Sequence, residues 1–130
     1  DRVQYNTYDE INVRREKDFQ TEMETAFAFI NDDCYGIEID LDAIPGIASS
    51  AMTISGFSVE EARRFVSFFG NSPNAAYLHI CEGAPALGDE KNPNLIGKVI
   101  GYLITDFIKS HHQKPEKVDL EVASNKDCSK

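Results

Sequence analysis

The run Tyr35-Gly36-Ile37-Glu38-Ile39-Asp40-Leu41-Asp42 constrains this chain more than any other stretch, because it reads as an apolar strand that closes on two carboxylates. Its low polarity predicts a strand buried on both faces of a parallel sheet, which needs helices as its crossovers. Asp40 and Asp42 lie two apart, so both side chains leave the same face of the strand. In open α/β sheets ligands bind outside the carboxyl ends of the strands. Two acidic groups held there repel each other unless a proton or a cation neutralises one of them. Hard divalent ions such as Mg²⁺ and Mn²⁺ take oxygen ligands. The same Asp-x-Asp can also cap a following turn or sit in water, so the motif by itself leaves both readings open.

A chain of 130 residues fits one domain. Its 13 basic and 22 acidic residues give a net charge of -9, which argues against nucleic acid or an anionic membrane as partner. No apolar run is long enough to cross a membrane, and the first residues carry no signal-peptide pattern. The chain opens on Asp1, and a trimmed start is expected. Cys34, Cys81 and Cys128 are widely spaced with no Cys-x-x-Cys. Neither a zinc site nor a disulfide framework is expected from them, and a reducing cytoplasm is the expected setting. Cys34 and Cys81 border apolar runs, where buried thiols are expected.

Residues 3–7 read as a short strand and residues 17–30 as a helix, whose Phe19, Met23, Phe27 and Ile30 form one apolar stripe. The strand at 34–41 follows, then a loop over 43–57 that is long for a βα connection. Ser58 and Glu61 form a capping box, predicting a helix over 59–69 that Gly70-Asn71-Ser72-Pro73 stops. A strand over 77–81 ends in Glu82-Gly83-Ala84-Pro85, and an apolar helix runs over 95–108. Residues 1–110 thus form an α/β unit, and 111–130 a polar tail holding His111 and His112 as solvated residues. His79 is expected as a satisfied core residue. The order β-α-β-α-β-α calls for a parallel sheet with right-handed crossovers, which lines Asp40, Asp42 and Glu82 along one edge.

Ile39-Asp40-Leu41-Asp42, Ser55-Gly56-Phe57-Ser58 and Ile80-Cys81-Glu82-Gly83-Ala84-Pro85 stand in that order with a Pro/Gly/Ser loop between the first two. From about residue 3 to 110 this resembles the C-terminal part of the arginase-type ureohydrolases, which include arginase, agmatinase and formimidoylglutamase. The resemblance implies a partial three-layer α/β/α fold with a parallel sheet. It implies that Asp40 and Asp42 ligate a pair of Mn²⁺ ions, and that Glu82 holds the amidine or guanidine group of a small-molecule substrate. The implied reaction is hydrolysis of a C–N bond by a metal-activated water. A homo-oligomer is expected, and the loop 46–56 is expected to border the pocket.

The sequence departs from the family in two places. Asp42-Ala43-Ile44-Pro45 lacks a third Asp before the proline, and Glu38 stands where Ser is frequent. The altered loop favours a formimidoylglutamase-like member. The family's upstream Gly-Gly-x-His and Asp-Ala-His-x-Asp segments are absent, so the chain carries about half of the implied site and is expected to be inactive by itself. Two other readings compete. Haloacid-dehalogenase-type phosphotransferases also place Asp-x-Asp after a strand, but they have Thr or Val where this chain has Ile44, and Gly88-Asp89 follows the wrong strand for them. A non-catalytic α/β piece would instead self-associate through its open sheet edges.

Overall fold

The computed structural model describes residues 3–30, 33–88 and 94–112; the expectations for Asp89, Cys128 and the tail beyond 112 lie outside them. The elements are α1 (Phe19–Ile30), β1 (Tyr35–Asp40), α2 (Val59–Gly70), β2 (Ala75–Cys81) and α3 (Leu95–His112). Among the described residues β1 and β2 pair in parallel as a two-stranded sheet, with Glu38 opposite His79 and Asp40 opposite Cys81. Both strands therefore end at the same edge, and the acidic residues that follow them gather there.

The capping box at Ser58 starts α2 as its sequence predicts. Ser58 Oγ accepts from Glu61 N at 3.1 Å, and Ser58 N donates to the Glu61 carboxylate at 2.7 Å. Ala62, Val66 and Phe69 then fall on one buried face. The same spacing buries Ile96, Val99 and Leu103 of α3. The two helices pack together and are pinned by Arg63, whose Nε and Nη2 donate to Asp106 at 2.6 and 3.2 Å. Tyr35 ties the start of β1 to the end of α2 by donating its hydroxyl to Phe69 O at 2.7 Å. Phe27, Phe68 and Phe69 complete that corner with edge-to-face and tilted rings.

Several expectations need correction. β1 is buried on one face only: Ile37 and Ile39 enter the core, while Gly36, Glu38 and Asp40 are exposed. The reason is that α2 and α3 cover one side of the sheet, leaving the other side open among the described residues. His79 lies on that open side, not in the core, because strand parity sets it apart from the packed Leu78 and Ile80. Residues 3–7 are not a strand. Thr7 and Glu10 bond reciprocally, Thr7 N to the Glu10 carboxylate at 2.9 Å and Glu10 N to Thr7 Oγ1 at 3.2 Å. That capping-type pair winds the chain into a π-helical turn at Asp9–Val13. α3 runs on to His112, with the His111 ring stacked on Phe107 one turn earlier. Cys34 is exposed and disulfide-bonded, against the expectation of a buried thiol. Cys81 is free and half-buried.

Candidate metal centre

Strand β1 delivers Asp40 to the sheet edge, where its carboxylate caps the 3₁₀ turn Leu41–Ala43 by accepting from Asp42 N at 2.8 Å. Leu41, fully buried, anchors that turn in the core and fixes the direction in which Asp42 leaves it. The loop that follows turns at Pro45-Gly46, with Gly46 at φ +75, a conformation that side chains disfavour. It then buries Ile47 and Ser49 and comes back across the end of β2. Ser50 N donates to Glu82 O at 3.1 Å, Ala84 N donates to Ala48 O at 2.9 Å, and Ser49 bridges Gly83. The segments after both strands are thereby zipped together.

This zipper links two of the acidic residues, Asp42 and Glu82, through Ser50. Asp42 accepts from Ala51 N at 2.8 Å and from Ser50 Oγ at 3.0 Å, and the same Ser50 Oγ lies 2.6 Å from Glu82 Oε2. A hydroxyl has one proton, so Ser50 satisfies one of these two carboxylates and turns a lone pair toward the other. A cation or a shared proton relieves that conflict. The Ala51 N–H, helped by hydroxyls of Ser49 and Ser50, holds the Asp42 carboxyl below the usual carboxylate range. Glu82 sits at φ +61, a left-handed conformation that costs a non-glycine residue about 1–3 kcal/mol and is found disproportionately at functional sites.

The sequence-derived residues are linked at one edge, Asp40 by a bond to the Asp42 backbone and Asp42 to Glu82 through Ser50, but their carboxylates are not among the described groups of three whose ligand atoms all lie within 4.8 Å of one another. Their donor chemistry, all oxygen and acidic, suits hard divalent ions. Asp40 and Glu82 are exposed and Asp42 is partly so, which leaves carboxylate oxygens accessible for ligation. The loop 46–56 reaches the acidic cluster through Ser50 and Ala51. It does not line the apolar cleft of about 420 Å³ that opens beside Asp40. Ile44 and Phe57, at the two roots of the loop, border that cleft with Phe19, Met23 and Phe65.

Sequence reasoning missed Ser50, whose role depends on a loop returning across β2. It also missed a different donor set. Among the described residues, Glu38, His79 and Cys81 are the group of three whose ligand atoms all lie within 4.8 Å of one another. Burial, with the neighbouring Asp40 and Glu38 carboxylates, pushes the Cys81 thiol above its usual range.

No family model matches the sequence, and no curated protein matches it. Solved structures do. Formimidoylglutamase from Bacillus subtilis superposes with a TM-score of 0.76 at 22% identity, covering 87% of this chain and 35% of that one. Trypanosoma cruzi formiminoglutamase, solved with Mn²⁺, gives 0.65 at 20% identity, over 78% of this chain and 33% of that one. Arginase from Bacillus caldovelox gives 0.65 at 15% identity, over 88% and 37%. The chain thus has the arginase-type α/β fold in part and spans about a third of the length of the structures it matches.

Proposed function

We propose that this chain carries the C-terminal share of a metal-dependent ureohydrolase site, with Asp40 and Asp42 as ligands of divalent ions, Mn²⁺ foremost, and Glu82 as the anchor for an amidine or guanidine cation. The observation that carries the reading is the linked series Asp40, Asp42, Ser50 and Glu82 at the carboxyl edge of a parallel sheet. It is supported by the fold shared with formimidoylglutamase and arginase.

Bound divalent ions supply the acidity that makes a shared water reactive near neutral pH. The chain's own residues would do the rest. Ala51 N–H and Ser50 Oγ orient Asp42 and keep it ionised. Glu82, turned outward at the end of β2, offers two oxygens to a planar cation with forked N–H donors. The Ala43-Ile44-Pro45 loop root favours a formimidoyl over a guanidino substrate.

In the complete enzyme, Asp40→Asn is expected to lose metal and activity together, with released formamide or urea as the assay and metal analysis alongside. Retained activity at normal metal content would sink the assignment. Glu82→Gln is expected to keep the metals and weaken substrate use, and loss of metal there counts against its role.

A further inference from the structure

We propose that Glu38, His79 and Cys81 form a binding site for a zinc-type transition-metal ion on the open face of the sheet. The register supplies the geometry. Glu38 and His79 are direct partners across the parallel ladder, and Cys81 lies two residues beyond His79, on the same face. His79 Nδ1 is 3.1 Å from Glu38 Oε2, and the Cys81 sulfur completes a triangle whose ligand atoms are all within 4.8 Å. A tetrahedral ion with bonds of about 2.0–2.3 Å needs its ligand atoms about 3.5 Å apart, so small side-chain rotations close the site.

The donor chemistry selects the ion. A carboxylate, an imidazole and a thiolate make a mixed O/N/S set that zinc accepts, with a fourth position left for water. Mn²⁺ and Mg²⁺ favour oxygen sets, such as the Asp40, Asp42 and Glu82 group, over a thiolate. Two hydrogen-bonded strands hold the three donors, so little backbone ordering is needed on binding. Access is open, since the Glu38 and His79 side chains are 68% and 56% exposed. Cys81 Sγ, a weak donor, bonds Ile39 O at 3.7 Å. Binding exchanges that contact for a metal–sulfur bond and releases the thiol proton to solvent. Apart from metal binding, the Glu38–His79 pair is an exposed side-chain contact of small energetic value.

The test is a Co²⁺ titration of the full 130-residue chain without reductant, so that Cys34 stays in its disulfide and Cys81 supplies the thiolate. The expected result is a near-ultraviolet sulfur-to-cobalt charge-transfer band that equimolar Zn²⁺ abolishes. Cys81→Ser removes the band. Glu38→Gln, at an exposed position that leaves packing untouched, weakens Zn²⁺ binding by more than about tenfold, the loss that even outer-shell changes can cause. The double variant Asp40→Asn/Asp42→Asn keeps the band, which separates this proposal from the ureohydrolase reading. No band in the unmodified chain overturns it. So does a band that survives Cys81→Ser, or one lost with Asp40 and Asp42.

Discussion

At Ser50 a single hydroxyl proton is contested by two carboxylates, and the electrostatics of the candidate centre follow from that shortage. Asp42 wins part of the contest because Ala51 N–H also donates to it, and its carboxyl titrates below the ordinary range as a result. A depressed carboxylate pKa stabilises the folded chain at pH values above its unfolded value of about 3.9, and the effect is lost as pH falls through the lowered folded value. Asp42→Asn is therefore expected to flatten the acid limb of the stability curve below about pH 4. Urea midpoints measured across that range check it, and an unchanged acid limb would show that Asp42 is not held. Glu10 acts likewise at the other end of the described chain, lowered to about 2 chiefly by Thr7 N–H. Asp40 and Asp42 were legible in the sequence because a strand ending is a local signal. Ser50 was not, since nothing in a Gly/Pro/Ser loop says which serine returns to the second strand.

Among the elements, the loop between β1 and α2 is the part most exposed to small changes. A Cβ on Gly56 would fall 2.1 Å from Ala43 O, a backbone atom that also accepts from Phe57 N. Gly56→Ala must therefore push the two loop roots apart, at about 1–3 kcal/mol. A lowered thermal midpoint with unchanged helix content is the expected outcome. The helices are governed differently, by burial. Leu103 of α3 is fully buried in the core, and Leu103→Ala is expected to cost about 2–5 kcal/mol, read as a shift of the urea midpoint at constant slope. Helix positions were readable from the capping box and the apolar spacings. The end of α3 was not, because the Phe107–His111 stack extends it through polar residues. Residues 3–7 misled because their apolar alternation resembles a strand, whereas the Thr7–Glu10 pair caps the π-helical turn Asp9–Val13 that follows them.

For the whole molecule, the open side of the sheet and its two edges, unpaired among the described residues, dominate. Tyr77 is 59% exposed there, and Ile54 at the loop tip is 98% exposed. Apolar groups and strand edges left in water favour association. The net charge of -9 opposes it at low ionic strength. The expected outcome is a mass above the monomer in light scattering that grows with added salt and does not need Mn²⁺. A monomer throughout would count against an interface on the open face.

The sequence by itself determined the types of α1, β1, α2, β2 and α3, the cap of α2, the parallel α/β class and the acidic edge, because each rests on contacts a few residues apart or on strand parity. Only the tertiary structure decided which face of β1 is buried, that Ser50 joins Asp42 to Glu82, and that Glu38, His79 and Cys81 converge. Those facts depend on the register between two strands and on a loop crossing both. Register is fixed by packing over long sequence separations, which no local pattern encodes.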